Sequence, residues 1–231
     1  MLELNHLYNM DCMEGMKEVP EKYFDLAIVD PPYFNGPNKR QYYGRRISKL
    51  NIRRKDYSEI KEWDIPGEQY FKELLRISKN QIIWGINYYD IYLGSGRIVW
   101  DKVNGASSYS DCEIAYCSVH DSTRLFRYMW NGMNQGKSIS EGHIMQGDKS
   151  KNEKRIHATQ KPVNLYKWIL MNYANPGDKI LDTHVGSASS LVACHEMGLD
   201  FLGFELDKNM HELAGKRLFD SMNQMNMFNA I

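Results

Sequence analysis

Short apolar runs recur along the chain, and the clearest of them ends at an acidic residue. Residues 26–29 read Leu-Ala-Ile-Val without a polar break, and Asp30-Pro31-Pro32-Tyr33 follows directly. Such a run is typical of a strand that is buried on both faces inside a parallel sheet. The two prolines end the strand because neither can donate a hydrogen bond to a neighbouring strand. We therefore expect Asp30 at the carboxyl end of a strand, the edge at which open α/β sheets bind ligands.

The remaining pattern predicts an alternation of strands and helices. Further strands are predicted at 7–10, 81–85, 97–100, 113–117, 179–182 and 201–205. Helices are predicted at 12–19, at 68–78 with Lys79-Asn80 closing the turn, from Pro162 onwards, at 190–197, and after a cap at Asp207. The tail from Ser221 is expected to be frayed or docked on a partner. This order indicates an α/β fold with a mixed, mostly parallel sheet and helices on both faces.

Two stretches interrupt the alternation. Residues 120–158 show neither a helical nor a strand period and contain four glycines, so a small recognition lobe is predicted at about 118–155. The other stretch, at about 34–62, is a basic loop. The length of 231 residues suits one domain over 1–231 with these two insertions.

Charge is balanced overall but uneven along the chain. Basic and acidic residues both number 29, yet eight basic residues and no acid lie between Lys39 and Lys55. Such a run is either a solvated segment or a phosphate-binding surface, and its position directly after the Asp-Pro-Pro-Tyr corner favours phosphate. The residues predicted to contact nucleic acid are Lys39, Arg40, Arg45, Arg46, Arg53 and Arg54, together with Lys151, Lys154 and Arg155.

A second ligand site is predicted in the last third of the chain. The strand that ends at Asp182, a loop of small residues, a helix, and a strand that ends at Glu205 make one βαβ unit. Glu205 follows Gly186 by about 20 residues, close to the spacing at which an acid reaches the hydroxyls of a ribose. A single glycine in this loop disfavours a dinucleotide and suits a nucleoside without pyrophosphate. An ordinary βαβ turn remains the alternative.

Taken together, four motifs closely resemble those of the amino-methylating DNA methyltransferases. They are Asp30-Pro31-Pro32-Tyr33, Thr159-Gln160-Lys161-Pro162, residues 182–188 and Phe204-Glu205. Their order is that of the permuted (beta) group, in which the catalytic tetrapeptide precedes the cofactor loop. The resemblance implies a Rossmann-like methyltransferase fold with circularly permuted motif order. It also implies S-adenosylmethionine as the methyl donor and the exocyclic amine of adenine or cytosine in double-stranded DNA as the acceptor.

The resemblance also implies roles for individual residues. Asp30 and the Pro31 carbonyl would accept the amine hydrogens of a flipped-out base, Pro32 completes the corner, and Tyr33 would stack on the base. The cofactor-binding residues that it implies are Asp11, Asp30, Thr159, Lys161, Asp182, His184, Gly186, Ser187, Ala188, Glu205 and Leu206. Asp11 could equally be a helix cap, and Lys161 a surface lysine. His184 and Ala188 depart from the family pattern, which usually has an aromatic residue or proline and a second glycine there.

Several functional alternatives remain open at this stage. Aspartate at the first position of the tetrapeptide favours adenine N6 over cytosine N4. Amine methylation on RNA or on a protein glutamine, and a non-catalytic DNA-binding protein with the same fold, are further alternatives. His195-Glu196 and His211-Glu212 lack the second histidine of a zinc motif, so no metal is predicted.

The chain is expected to be cytoplasmic and of prokaryotic or phage origin. It has no apolar run of membrane-spanning length, its first residues lack a secretory pattern, and its four cysteines are scattered. The predicted partner is double-stranded DNA and not a membrane, and a homodimer and a cognate restriction endonuclease are further candidate partners.

Overall fold

A computed structural model describes residues 2–33, 64–105, 110–157 and 159–229, with side chains through residue 223. The described strands are β1 (His6–Tyr8), β2 (Phe24–Val29), β3 (Ser78–Trp84), β4 (Arg97–Asp101), β5 (Cys112–Cys117), β6 (Thr123–Arg127), β7 (Trp130–Asn131), β8 (Asn134–Gln135), β9 (Lys179–Asp182) and β10 (Asp200–Phe204). The described α-helices are α1 (Cys12–Lys17), α2 (Glu68–Ile77), α3 (Val163–Tyr173), α4 (Ser189–Glu196) and α5 (Lys208–Asn229).

Eight of these strands form one sheet in the order β1-β10-β9-β2-β3-β5-β4-β6. The first five are mutually parallel, β5 is antiparallel to both of its neighbours, and β6 is parallel to β4. The carboxyl ends of β1, β10, β9, β2, β3, β4 and β6 therefore share one edge with the amino end of β5. The predicted mixed, mostly parallel sheet is confirmed.

Helices cover both faces of this sheet. On one face, α1 and α2 pack on β2, β3 and β10 through side chains such as Met16, Phe71 and Leu74. On the other face, α3, α4 and α5 pack through Leu165, Leu191 and other apolar residues. Because both faces are covered, the central strands read as continuous apolar runs rather than as alternating patterns. This arrangement leaves the carboxyl edge of the sheet as the place for a ligand.

The junction of α2 and β3 differs from the prediction. Lys79-Asn80 was expected to close the helix, but both residues lie in β3, which begins at Ser78. Ser78 takes an extended conformation and pairs with Phe24 at the start of β2. The tertiary pairing with β2 thus extends the strand through two residues whose local preference is for a turn.

The region 120–158 also differs from the prediction, because part of it belongs to the main sheet. Residues Thr123–Arg127 form edge strand β6, and only Phe126 in this strand is buried. A single buried side chain leaves no period to detect in the sequence. The short hairpin β7–β8 follows it.

The helix boundaries give two smaller corrections. Pro162 is the N-cap of α3 rather than its first helical residue. The helix α5 continues to Asn229, so the tail after Ser221 is helical rather than frayed. The predicted cap of α5 is confirmed, since the Asp207 carboxylate accepts a hydrogen bond of 2.9 Å from the Met210 N–H.

Candidate active site

The carboxyl edge of the sheet collects a set of polar residues from five strands. Asp30 follows β2 and Asp182 ends β9, and these two strands are neighbours that pair at Leu26 with Ile180 and at Ala27 with Leu181. Glu113, near the amino end of the antiparallel β5, lies at the same edge. The strand order therefore brings the Asp-Pro-Pro-Tyr corner next to the loop that contains Gly186. The structure thus joins two motifs that are about 150 residues apart in the chain.

Asp30 is held by a charged network. Its Oδ2 forms an ion pair with Nζ of Lys161, whose side chain is only 4% exposed. The same ammonium lies 3.1 Å from Oε2 of Glu113, and Glu113 Oε1 lies 2.5 Å from Nζ of Lys102. The Lys161 ammonium also lies 5.6 Å from the centroid of the Trp84 ring. Two acids and two bases therefore balance in charge at a site from which water is largely excluded.

The second carboxylate oxygen of Asp30 has a different environment. Oδ1 is buried and accepts no hydrogen bond from the described part of the chain. Burial raises the pKa of Asp30, and the Lys161 ammonium opposes that rise. For Glu113 the two lysines outweigh burial and lower the pKa to about 2. A buried acceptor without a donor is costly in a folded protein, and it is typical of a site that binds a donor.

Tyr33 is placed by its neighbours in the loop after β3. Gly85 has a φ of +70°, and a Cβ at this position would lie 2.4 Å from Cδ1 of Tyr33. The rings of Tyr33 and Tyr88 stack with centroids 4.4 Å apart and planes 7° apart, and Tyr88 is 58% exposed. Gly85 is therefore required both for its left-handed backbone and for the close approach of the Tyr33 ring.

The carbonyls of the proline pair are already engaged. The hydroxyl of Tyr89 donates to the Pro31 carbonyl at 2.7 Å and to the Pro32 carbonyl at 3.0 Å. The Tyr89 hydroxyl is a donor to this corner that the sequence pattern did not indicate, and the predicted role of the Pro31 carbonyl stays a prediction. A carbonyl oxygen has two lone pairs, so one acceptor position on Pro31 remains beside the Tyr89 hydroxyl.

Asp182 is satisfied by neutral groups. Its Oδ1 accepts the backbone N–H of His184 at 3.0 Å, and its Oδ2 accepts the hydroxyl of Ser190. Burial raises the pKa of Asp182 to about 7 against these hydrogen bonds. Burial also lowers the pKa of His184 to about 4, so this ring is neutral near pH 7. The corner at β9 therefore carries at most one negative charge and no opposing cation.

The loop after β9 has the shape of a ligand cradle. Gly186 has a φ of +53°, and a Cβ built there would meet no atom within 4 Å, so the space beside it is open. Its N–H donates to Glu205 Oε2 at 2.8 Å, which ties the loop to the end of β10. Ala188, at the position where the family usually has glycine, has a φ of +60°. The left-handed backbone explains that glycine preference. Ala188 adopts the same conformation at the cost of modest strain.

Other predicted site residues have visible structural roles. Asp11 caps α1 through a 2.7 Å bond from the Met13 N–H. The hydroxyl of Thr159 lies 3.1 Å from Nδ1 of His157, and Leu206 is 70% exposed. The Ser187 carbonyl accepts a 2.6 Å bond from Arg217. These contacts leave the predicted cofactor roles of the four residues as predictions.

The predicted DNA-contacting residues divide into three groups. Lys39, Arg40, Arg45, Arg46, Arg53 and Arg54 lie outside the described residues. Lys151 and Lys154 are exposed, as a phosphate contact requires. Arg155 is only partly exposed and stacks over the Trp130 ring with its guanidinium carbon 4.1 Å from the centroid. The predicted phosphate contacts of Lys151, Lys154 and Arg155 stay predictions.

A comparison with known families shows the family to which the chain belongs. The family described as DNA methylase matches residues 24–216. The chain belongs to the DNA methylase family. The family resemblance identified from the motifs is therefore confirmed.

Relatives and solved structures agree with that assignment. The Type II methyltransferase M.HinfI of Haemophilus influenzae is 24% identical over 93% of this chain and 68% of its own length. The crystal structure of the M1.HpyAVI–SAM complex matches with a TM-score of 0.56 and 19% identity over 92% of this chain and 98% of its own. PvuII DNA methyltransferase, described as cytosine-N4-specific, matches with a TM-score of 0.54 and 12% identity over 94% and 91%. The predicted Rossmann-like methyltransferase fold is confirmed by this likeness.

Sequence reasoning missed several residues that complete the site of this DNA methylase. Glu113, Lys102, Tyr89 and Arg217 are not among the predicted site residues. Arg217 donates to Ser187 and Ser189 and pairs with Glu153 at 2.6 Å, so it fixes the loop after Gly186. A usable signal existed for Lys102, because it lies two residues after the end of the predicted strand at 97–100.

Proposed function

We propose that this DNA methylase transfers a methyl group from S-adenosylmethionine to the N6 amine of a flipped-out adenine in double-stranded DNA. The observation that carries the proposal is the buried Oδ1 of Asp30, an acceptor without a donor in the described chain, next to the Tyr33 ring. An exocyclic amine is the donor that would satisfy this oxygen. S-adenosylmethionine, when bound, supplies an electrophilic methyl group.

Asp30 acts on the amine by hydrogen bonding. The lone pair of the amine is delocalised into the base, so the nitrogen is a poor nucleophile. Acceptance of one amine hydrogen by Asp30 Oδ1 and of the other by the Pro31 carbonyl localises that lone pair and stabilises positive charge developing on nitrogen. Hydrogen bonds to a charged group contribute about 1.5–3 kcal/mol each. The proton is lost to solvent after methyl transfer, so Asp30 need not be a strong base.

The residues of the second corner fit a nucleoside cofactor. The open space beside Gly186 accepts a ligand close to the backbone, and the Glu205 carboxylate stands at the end of β10, one strand away. Each Glu205 oxygen already accepts one backbone N–H, from Gly186 and from Asp207, and keeps lone pairs for ribose hydroxyls. Asp11, Asp182 and His184 line the approach from α1 and β9. These residues would bind and orient the cofactor beside Asp30.

The preference for adenine rests on Asp30, because the fold does not separate the two bases. A structure described as cytosine-N4-specific shares the fold. Cytosine N4 is therefore the second candidate, and the nucleoside product decides between them.

Double-stranded DNA is the proposed substrate, with Lys151 and Lys154 as phosphate contacts. No described helix is long and apolar enough to cross a membrane. We further propose a cytoplasmic, prokaryotic or phage context; a homodimer and a cognate restriction endonuclease are open to test.

The decisive experiment compares Asp30→Ala with the wild-type protein. Incorporation of tritiated methyl from S-adenosylmethionine into DNA is expected to fall by at least about 1,000-fold, while equilibrium binding of the cofactor is retained. Mass spectrometry of the nucleosides is expected to show N6-methyladenine. Asp25→Asn, at the opposite end of the same strand, serves as the matched control and is expected to keep activity. Full incorporation by Asp30→Ala would overturn the proposal, and N4-methylcytosine would favour the second candidate.

A further inference from the structure

Lys161 occupies an unusual position for a lysine. Its ammonium lies between the carboxylates of Asp30 and Glu113, and its side chain is 4% exposed. A buried ammonium has three donors, and two of them are already directed at these carboxylates. Glu113 in turn pairs with Lys102 at 2.5 Å. The lysine therefore has little capacity left for a cofactor, in contrast to the role that the family resemblance implied.

We propose that Lys161 is a positioning residue that keeps Asp30 ionised and turns its Oδ1 towards the target amine, and that Glu113 positions Lys161. The inference rests on the proposed function and extends it to how the Asp30 carboxylate is kept charged and correctly oriented. Lys161 lies in the Thr159-Gln160-Lys161-Pro162 segment, 131 residues from Asp30, so the contact is made by tertiary structure alone.

The geometry explains the orientation of the carboxylate. A carboxylate on a short side chain can present either oxygen by rotation about one bond. The ion pair occupies Oδ2, so Oδ1 is the oxygen that remains for a ligand. Without Lys161 the two oxygens become equivalent, and the acceptor loses its fixed direction.

The electrostatics explain the need for a cation. A protonated carboxyl presents an O–H donor and cannot serve as the same strong acceptor for an amine hydrogen. Burial and the neighbouring Glu113 both favour protonation of Asp30, and Lys161 opposes them. The groups facing Asp30 from the surrounding elements are Lys161, Glu113, Lys102, Tyr33, Tyr89, Tyr166 and Asp182. Among these groups Lys161 and Lys102 carry positive charge, and the Lys161 ammonium forms the ion pair with Asp30.

Glu113 has a distinct task in this network. Glu113 forms ion pairs with both Lys102 and Lys161. The ammonium of Lys161 therefore contacts two carboxylates rather than that of Asp30 alone. Sharing leaves more negative charge on Asp30 Oδ1 than a single closed ion pair would. Burial lowers the pKa of Lys161, but the two carboxylates outweigh burial and raise that pKa well above the ordinary value. Lys161 therefore stays charged throughout the pH range in which the enzyme is assayed.

The first test is a pH profile of Lys161→Met at saturating DNA and cofactor. At neutral pH, kcat is expected to fall at least about 100-fold and to recover partly as the pH rises, because Asp30 ionises at a higher pH without the lysine. Lys161→Arg is expected to restore part of the activity and the wild-type profile. Lys79→Met removes a comparable lysine–aspartate pair at the opposite end of β2 and β3 and is the control.

A second measurement does not depend on activity. In protein labelled with ¹³C at aspartate carboxyl groups, the Asp30 signal, assigned with Asp30→Asn, is expected to titrate at a higher pH in Lys161→Met than in the wild type. Lys161→Met/Glu113→Gln removes one charge of each sign, so it keeps the balance and guards against a simple failure to fold. This double variant is also expected to lose activity at neutral pH, because the cation that contacts Asp30 is absent, but less than Lys161→Met, because the negative charge of Glu113 is absent too.

The outcomes separate this inference from the proposed function. A wild-type pH profile and kcat in Lys161→Met, or a defect confined to cofactor affinity, would overturn the positioning role even if Asp30→Ala is inactive. An active Asp30→Ala would instead overturn the proposed function itself. An unchanged Asp30 titration in Lys161→Met also counts against the inference.

Discussion

Asp30 and Asp182 both lie at the carboxyl ends of neighbouring strands, yet the surroundings of the two carboxyls differ. Asp30 has one oxygen on a buried ammonium and one oxygen without a donor among the described residues. Asp182 has both oxygens satisfied, by the Ser190 hydroxyl and by the His184 N–H. Burial acts on both and raises the pKa of each. The two corners therefore differ in the partner that opposes burial rather than in burial itself.

Under the proposed function, this difference gives the two carboxyls different roles at the carboxyl edge of the sheet. The Lys161 ammonium favours the charged form of Asp30 and contacts only its Oδ2. The other oxygen, Oδ1, therefore remains as an acceptor for a substrate. Neutral donors hold Asp182 in place and shape the turn into the cofactor loop, and they leave its protonation sensitive to pH. Under the proposed function, the acid that acts on the amine and the acid that holds the loop therefore have different partners.

Among the further variants that test this contrast, the largest effect is expected from Gly85→Ala, which would disturb the Asp30 corner. The new Cβ would lie 2.4 Å from the Tyr33 ring, so the ring must move, and displacements of this size can cost about 100-fold in rate. Methylation is expected to fall by at least that factor, with cofactor affinity retained. The left-handed backbone adds about 1–2 kcal/mol of instability.

Gly177→Ala is the matched control for this variant. Gly177 has a φ of +87°, but a Cβ there would meet no atom within 4 Å. It shares the backbone cost without any clash near the site. Equal losses of methylation in the two variants would show that Tyr33 is not held by Gly85.

A pH-dependent effect is expected at the other corner, in Asp182→Asn. The native pKa of about 7 exceeds the ordinary value of 3.8, so the folded state binds more protons than the unfolded chain between these pH values. Asp182 therefore lowers stability as pH rises from about 4 to about 7, by roughly 4 kcal/mol at most. The stability of the wild type relative to Asp182→Asn, from urea unfolding at each pH, is expected to decline through this window and then level off.

Two other titratable groups, His184 and Asp25, help to show that the pH dependence of stability arises from Asp182. His184, with a pKa lowered to about 4, contributes the opposite slope in both proteins, so it cancels in the difference. Asp25, which Lys79 and the Lys179 N–H hold with a lowered pKa against the effect of burial, changes stability only below its ordinary range. The difference curve for Asp25→Asn is thus expected to be flat from about pH 4 to about pH 7. A flat curve for Asp182→Asn would contradict the contrast between the corners.

The smallest expected effect on activity is that of Ser190→Ala. Loss of the hydroxyl leaves Asp182 Oδ2 without its donor, at a cost of about 1–2 kcal/mol in the free energy of unfolding. Methylation is expected to change less than about threefold, because Asp182 positions the loop and does not touch the amine. Ser140→Ala, at an exposed site, is the control. A loss of activity comparable to that of Lys161→Met would erase the distinction between the two carboxyls.

Local patterns predicted the parts of the site that are carried by a single strand and its end. The apolar run before Asp30 indicates a strand that is buried on both faces, and the proline pair indicates where that strand ends. The βαβ unit around Gly186 likewise shows in a strand, a small-residue loop and a helix. The edge strand β6 escaped prediction because only Phe126 in it is buried, and the α2–β3 junction escaped because pairing with β2 overrode local preference.

The sequence by itself determined the strand ends, the order of the motifs and the family, since each depends on neighbours in the chain. Only the tertiary structure decided that Lys161 and Glu113 meet at Asp30, that Tyr89 donates to the Pro31 carbonyl, and that Tyr88 stacks on Tyr33. Charge partners are chosen by the order of strands in the sheet, which joins residues far apart in the chain. A buried ion pair leaves no periodic trace in the sequence, because its members need share only a position at the same edge of the sheet.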